Sequence, residues 1–189
     1  MKTIILIIIS IAFNNYSYAQ WQWAQHFGGN SFNNPNEFPT STLIVGSNNF
    51  TIGVYGGTLF MPNDTLFSNG DNDLFITKCD LSGNQLWSKT IGGKFSQTTD
   101  SEYGFGVYDS LSDCIYISGQ VIGEVNFGSI VFNGSTVRSD IFTAKMDLNG
   151  NFIWVKKAGA QTMTEPNHIY QFKWKNLYCC SNKRFFAVW

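Results

Sequence analysis

The sequence predicts an all-β fold built from repeated antiparallel units, and three observations support this prediction. First, segment 73–93 recurs as 140–160 without a gap and with ten identical positions. Second, 16% of the residues are aromatic, and many of them fall in short extended runs. Third, clusters of the turn-forming residues Gly, Asn, Asp and Ser separate these runs. A fixed-period repeat is typical of array folds, in which each copy packs against its neighbours.

Segment 1–19 has the layout of a secretory signal peptide. Lys2 provides a basic start, residues 4–13 form an apolar run, and Ser17 and Ala19 suit cleavage before Gln20. The run is too short for a transmembrane helix, which needs about 20 residues, and a buried N-terminal strand is the alternative. We therefore expect an exported protein, extracellular or on a cell surface, with no transmembrane segment in its mature chain.

Composition disfavours several classes of partner. The formal net charge is −1 and 13% of residues are charged, so nothing favours nucleic acid or an anionic membrane surface. The four cysteines show no Cys-x-x-Cys or Cys/His spacing typical of zinc sites. Cys79 aligns with Met146 in the repeat, which indicates an apolar packing role. A Cys79–Cys114 disulfide stays open as an alternative in an exported protein.

Each copy of the repeat begins with an extended run whose side chains alternate between two faces. Lys78 and Lys145 point to one face. The other face is apolar or small in both copies, with Phe75, Thr77 and Cys79 in the first and Phe142, Ala144 and Met146 in the second. This alternation predicts a half-buried strand in each copy.

A tight turn follows this run. Asp80 and Asp147 open the turn, because an Asp side chain accepts hydrogen bonds from the backbone that follows, and Gly83 and Gly150 tolerate positive φ. The flanking strands should therefore form a hairpin. The structural positions that the repeat fixes are Trp23, Asp73, Phe75, Asp80, Gly83, Trp87, Gly92, Asp140, Phe142, Asp147, Gly150, Trp154 and Gly159.

Further extended runs complete each unit. Segments 103–108 and 114–119 form a second predicted strand pair, and 123–132 forms a short ribbon similar to 57–67. The units, at about 31–93 and 94–160, thus hold four main strands and a ribbon. Four-stranded antiparallel units in series are typical of β-propeller blades, and a stacked β-solenoid is the alternative.

A partial copy at 20–30 precedes these units, with Trp23 in the place of Trp87. The predicted fold is therefore an incomplete β-propeller, with about two four-stranded antiparallel blades at 20–160 and partial flanking strands. Closed propellers have about four to eight blades. Open blade faces would leave apolar surface exposed, so self-association through them is one expectation.

The pattern Asp-x-Phe-x-x-Lys-x-Asp-x-x-Gly-Asn-x-x-Trp-x-Lys-x-x-Gly-Gly resembles the β-propeller repeats called SBBP, which are common in secreted proteins of Bacteroidetes-type bacteria. The resemblance covers roughly residues 20–160. It implies a propeller and secretion, with the bacterial outer surface as the expected location, and it carries over no single activity.

The tail at 161–189 departs from the repeat. A new unit should begin after Ala160, yet 168–189 shows neither the repeat pattern nor a turn signal. We interpret the tail as an atypical third unit, truncated or produced by a frameshift in a longer gene. An intact single reading frame ending at Trp189, with no propeller-like coding downstream, would contradict this hypothesis.

Candidate catalytic and metal-binding residues are few. His26 occupies a variable strand position and His168 lies in the tail, so we expect neither to be catalytic. No nucleophile or phosphate-binding motif occurs. Asp80, Asp147 and segment 69–73 could supply calcium ligands, but a calcium loop needs more oxygen ligands at alternating positions. We therefore predict no cofactor, with calcium as the alternative.

Aromatic residues are the remaining candidates for ligand contacts. Trp23, Trp87 and Trp154 recur in one register, which favours packing over sugar stacking. The first candidates for contacts lie outside the fixed positions and are Trp21, Tyr103, Tyr108 and Tyr116.

The function predicted from sequence is that of a non-catalytic, exported β-propeller segment that interacts with a protein or a glycan. Propellers host both binding and enzymatic functions, so the fold alone does not choose between them. One alternative is a piece of a larger secreted enzyme acting on polysaccharide, with its catalytic residues elsewhere. Another is a non-functional truncated product.

Overall fold

A computed structural model describes residues 24, 26, 28–29, 37–93, 103–137 and 139–158, together with the backbone of three further strands in the tail. The predicted signal peptide at 1–19 and the fixed positions Trp23 and Gly159 lie outside the described residues. Those described form antiparallel β-strands with no helix among them, which confirms the all-β prediction. Accordingly, they include no helix of the length and apolarity needed to cross a membrane.

The first unit is a four-stranded antiparallel sheet in chain order. Its strands are β2 (Phe38–Val45), β3 (Asn48–Met61), β4 (Asp64–Asp80) and β5 (Gln85–Gly93), preceded by the short β1 (Gly28–Gly29). Strands β3 and β4 pair in two stretches, 48–56 with 72–80 inside the sheet and 58–61 with 64–67 beyond it. We call the outer stretch, 58–61 with 64–67, the first ribbon.

The second unit repeats this arrangement. Strands β6 (Tyr103–Asp109), β7 (Cys114–Val121), β10 (Asp140–Asp147) and β11 (Phe152–Ala158) form its sheet in that order. Strands β8 (Glu124–Phe127) and β9 (Ile130–Asn133) pair with each other as the second ribbon. Four main strands are present in each unit, and the predicted hairpins β4–β5 and β10–β11 are confirmed. The second ribbon is hydrogen-bonded to β5 of the first unit and not to the sheet of the second.

A pair of residues at the end of one unit pairs with the ribbon of the next. Gly92 and Gly93 of β5 pair with Asn126 and Val125 of the second ribbon. Residues 28–29 of β1 pair with 59–60 of the first ribbon in the same register. Strand β1 therefore pairs with the first ribbon in the way that the end of β5 pairs with the second ribbon.

The two units pack against each other through one apolar core. Because β-branched and aromatic side chains fit a pleated, buried surface, these strands supply most of the core. The first unit contributes Phe50, Ile52, Val54, Leu74, Ile76 and Ile91, and the second contributes Ile115, Ile117, Val125, Phe127, Phe142, Ala144 and Met146, all buried. Full burial of a side chain of this size contributes about 1.5–3 kcal/mol, so this interface contributes substantially to the stability of the pair.

The expectation of half-buried strands is wrong. Phe75, Thr77 and Cys79 are buried as predicted, but Leu74 and Ile76 on the opposite face of β4 are buried too. Strand β10 is likewise buried along most of both faces. For β4 the reason is that the face carrying Leu74 and Ile76 packs against the second unit. On β10 it is the face of Phe142, Ala144 and Met146 that packs against the first unit, and Thr143 on its opposite face is buried as well.

The tail contains three strands although its sequence shows no repeat pattern. Strands β12 (His168–Gln171), β13 (Leu177–Ser181) and β14 (Arg184–Val188) form an antiparallel sheet. Strand β12 lies against β6, just as β6 lies against β2. These three strands begin at positions 38, 103 and 168, so their starts are equally spaced along the chain.

Candidate functional site

The two hairpin turns have the same hydrogen bonds, and these occupy the carboxylates that were candidate calcium ligands. Asp80 Oδ1 accepts hydrogen bonds from the backbone N–H groups of Ser82 and Asn84, at 2.8 and 2.9 Å, and Oδ2 accepts one from the Asn84 amide at 2.8 Å. Asp147 repeats all three bonds with residues 149 and 151. The bonds to Asn84 lower the pKa of the Asp80 carboxyl. Burial raises the pKa of Asp147, but its turn bonds outweigh burial and the net shift is downward.

The turn glycines are required by their backbone conformation. Gly83 has φ 87° and Gly150 has φ 83°, in the left-handed region that favours glycine. Each donates its N–H to the carbonyl of the Asp three residues earlier, at 3.1 Å. The fixed positions Asp80, Gly83, Asp147 and Gly150 therefore shape turns. Within the described part of the chain, no group of three or more His, Cys, Asp or Glu side chains is placed to hold a metal ion.

Asp73 is a buried carboxyl at the junction between the units. Its Oδ2 accepts a hydrogen bond from the Asn69 N–H at 2.9 Å, which ties the base of the first ribbon to the part of β4 that lies inside the sheet. Burial raises its pKa from 3.8 to about 7, and the N–H groups of Asn69 and Gly93 offset part of that rise. A Cβ on Gly92 would overlap the Asp73 carboxyl, so only glycine fits there. Asp73 and Gly92 are thus fixed as a pair.

Asp140 has the corresponding place in the second unit. Its Oδ2 accepts a hydrogen bond from the Ser135 N–H at 2.6 Å, at the base of the second ribbon. The ammonium of Lys157 lies 2.6 Å from the same oxygen. The repeated Asp therefore fastens a ribbon to its sheet in both units.

An aromatic–lysine–aromatic group lies across three strands of each sheet. In the first unit Phe50, Lys78 and Trp87 are direct neighbours, and the two ring centroids are 5.9 Å apart. In the second unit, Tyr116 and Trp154 flank Lys145 with the same 5.9 Å separation. These contacts give both tryptophans a packing role, as their recurrence predicts.

Of the residues proposed for ligand contacts, two have described side chains, and both have partners within the second unit. Tyr116 packs against Trp154, and the Lys145 ammonium lies 5.3 Å from its ring centroid. The Tyr108 hydroxyl donates to Asp113 Oδ1 at 2.8 Å. Trp21 and the side chain of Tyr103 lie outside the described residues.

A cavity of about 410 Å³ lies on the face of the first unit that is turned away from the second. Its lining includes Glu37 and His26, and His26 is exposed. The described residues lining it are His26, Glu37, Phe38, Pro39, Thr42, Asn49, Thr51, Leu59, Phe75 and Cys79. We call it the outer cavity.

The strands that line the outer cavity carry more polar residues than the corresponding face of the second unit. Strands β3 and β4 present Asn49, Thr51, Thr77 and Cys79, where β7 and β10 present Ile115, Ile117, Ala144 and Met146. The face of the second unit that is turned away from the first is also the more polar of two corresponding faces. It carries Ser118, Gln120 and Thr143, where the first unit has Ile52, Val54 and Ile76. At these exchanged positions, the apolar residues belong to the faces through which the two units meet, and the polar residues to the opposite faces.

The chemistry available in the outer cavity is that of binding. Its described lining holds one carboxyl, one imidazole, one amide, two hydroxyls and a thiol beside two aromatic rings. Burial raises the pKa of the Cys79 thiol, and a buried neutral thiol is a poor nucleophile. Two carboxyl groups facing each other, as glycoside hydrolysis requires, do not occur among these residues.

Reasoning from sequence missed most of this cavity. Glu37 belongs to no motif, and no binding role was predicted for His26, Asn49 or Thr51. The signal that could have found them is the exchange of Asn49 and Thr51 for isoleucines in the second copy.

No protein-family model matches the chain, and no curated protein matches it either.

Proposed function

We propose that the chain is a non-catalytic β-propeller repeat segment of an exported protein, and that it serves as an interaction module. The propeller part of this proposal is supported by the arrangement of β2, β6 and β12, which begin at equal spacing and lie side by side in series. Successive four-stranded sheets that pack face to face through apolar cores are the elements of a propeller.

The interaction role rests on one observation, the outer cavity. Ligand sites in proteins are concave, contain a few polar groups among apolar ones, and measure about 300–1,000 Å³. The outer cavity fits this description, with Phe38 and Phe75 beside Asn49 and Thr51. Its lining offers hydrogen-bonding groups and ring faces, and burial raises the pKa of its one thiol, Cys79, which favours binding over turnover.

Export is proposed on the basis of segment 1–19 and tested by the mature N-terminus. We expect the protein to be recovered outside the cytoplasm of its host, beginning at Gln20. An N-terminus at Met1, or recovery in the cytoplasm alone, would contradict export.

The interaction role is tested by measuring binding and turnover on the same material. The purified protein is applied to an array of glycans and proteins from the surroundings of its host, and each retained ligand is then incubated with it in solution. We expect retention of a ligand that is recovered chemically unchanged. Release of a cleaved product at a rate proportional to protein concentration would instead make the chain an enzyme.

A further inference from the structure

We propose that the outer cavity binds a neutral saccharide, with Asn49 and Thr51 as the residues that recognise its hydroxyl groups. This inference rests on the proposed function as an interaction module and assigns that module a class of ligand. It is carried by three observations: the exchange of residues between the two copies, the hydrogen-bonding groups of the lining, and the aromatic rings beside them.

The exchange of residues provides an internal comparison. At the positions of Asn49 and Thr51 the second unit has Ile115 and Ile117, which are fully buried against the first unit. Asn49 and Thr51 themselves are half-buried and line the cavity. Polar groups at these positions would weaken an apolar interface, because a buried polar group without a partner costs free energy. Their presence favours a ligand that offers hydrogen bonds over a further apolar sheet face.

The polar lining matches hydroxyl groups. Thr51 Oγ1 lies 3.4 Å from Asn49 Oδ1, so the two side chains form a connected pair of donors and acceptors. An amide and a hydroxyl each donate and accept, which is what a sugar hydroxyl requires.

The charges of the lining favour a neutral ligand. The described lining includes Glu37 and no Lys or Arg, so a phosphate or carboxylate ligand would meet no fixed positive charge. Phe38 and Phe75 supply apolar surface for the C–H groups of a sugar ring. Phe75 is held in place by edge-on packing with Tyr55, at a centroid separation of 6.2 Å.

The test replaces the polar pair with the residues of the second unit. The full chain is titrated with glucose, galactose, mannose, maltose and cellobiose, with glucuronic acid as the charged comparison, and binding is followed by ligand-observed NMR and calorimetry. We expect at least one neutral sugar to bind and glucuronic acid not to bind. The double variant Asn49→Ile/Thr51→Ile should weaken binding at least tenfold.

Two further variants keep the test decisive. Thr65→Val makes the corresponding exchange on the first ribbon, where the second unit has Val131, and it should leave sugar binding unchanged because Thr65 lies outside the cavity lining. Thr51→Val removes one hydroxyl with little change in shape, and it should weaken binding severalfold even if the double variant fails to fold.

The outcomes separate this inference from the proposed function. Failure of every neutral sugar to bind, or sugar binding that survives both Asn49→Ile/Thr51→Ile and Thr51→Val, overturns the saccharide site while a protein ligand would still support an interaction module. Equal binding of glucuronic acid overturns the preference for a neutral ligand. Cleavage of a bound sugar by the protein overturns the proposed function itself.

Discussion

Lys78 of the first unit donates a hydrogen bond from Nζ to the backbone oxygen of Leu148 in the second unit, at 3.0 Å. The same ammonium lies 5.2 Å from the ring centroid of Phe50. Lys145 has the corresponding position in the second unit, and the described residues offer its ammonium a ring, Tyr116, but no such carbonyl. One lysine of the repeat thus links two units, while its counterpart packs within its own.

Replacement of Lys78 by Met should reveal the free energy of this link. The Met side chain keeps an apolar stem beside Phe50 but cannot donate to Leu148. Hydrogen bonds to charged groups contribute about 1.5–3 kcal/mol, so we expect Lys78→Met to lower the free energy of unfolding by about 1.5 kcal/mol in chemical denaturation. Lys145→Met is the matched control and should cost clearly less. Equal losses for the two variants would show that the bond to Leu148 contributes nothing.

The pair Asp73 and Gly92 makes a prediction about steric fit. Gly92→Ala would place a methyl group inside the Asp73 carboxyl, and overpacking of this kind typically costs about 1–3 kcal/mol. Shortening the partner should relieve the overlap. We therefore expect Gly92→Ala to destabilise the Asp73→Ala protein less than it destabilises the wild type, as measured by a double-mutant cycle of unfolding free energies. Strict additivity would contradict the fixed pairing of these positions.

Titration of the Asp73 carboxyl should make the free energy of unfolding depend on pH. Its pKa is about 7 in the folded protein and near 3.8 when it is exposed, so between these values the folded state keeps a proton that the unfolded state has released. The free energy of unfolding therefore falls by up to about 4 kcal/mol as pH rises from about 4 to 7, and it is constant above that range. Asp73→Asn cannot titrate and keeps an oxygen for the Asn69 N–H.

The measurement is the free energy of unfolding of both proteins at several pH values. We expect the wild type to lose stability relative to Asp73→Asn across this window, with a constant difference at higher pH. If the two curves run parallel from pH 4 to 7, the Asp73 carboxyl does not retain its proton in the folded state.

The parts of the fold that the sequence predicted well are those fixed by local chemistry. Asp80 and Gly83 form their turn with bonds to residues no more than four positions away, so the repeat alone identifies the hairpin. Burial depends on neighbours instead. Because the alternation of Lys78 with Phe75 and Thr77 resembles that of a sheet with one solvent-exposed face, no local pattern indicated that Leu74 and Ile76 would be covered by the second unit.

The outer cavity could not be predicted for a related reason. Asn49 and Thr51 are ordinary strand residues, and their significance depends on which face of which unit they occupy. His26 joins them in one lining because β1 pairs with the first ribbon, and Glu37 joins them because it directly precedes β2, which pairs with β3. Only the exchange with Ile115 and Ile117 was visible in the sequence, and it becomes meaningful when the packed face is known.

The two Asp-Gly turns predict that calcium has no effect on stability. Because both oxygens of Asp80 and Asp147 already accept hydrogen bonds within their turns, we expect the melting temperature to be unchanged by millimolar calcium or by a chelator. A rise in melting temperature with calcium that Asp147→Ala or Asp80→Ala abolishes would contradict the turn-forming role.

Cys79 and Cys114 give the last prediction, because both are free, buried thiols. Burial raises the pKa of Cys79 above its ordinary value, and the thiolate is the reactive form, so native Cys79 should be alkylated by iodoacetamide slowly at neutral pH and faster only at strongly alkaline pH. Peptide mapping by mass spectrometry, with the denatured protein as the fully reactive control, measures the labelled fraction. A Cys79–Cys114 disulfide in the non-reduced map, or full labelling of the native protein at neutral pH, would contradict the buried free thiol.

Because Cys79 lines the outer cavity, a sugar bound there should slow its labelling further, and Cys114, which does not line it, serves as the internal reference.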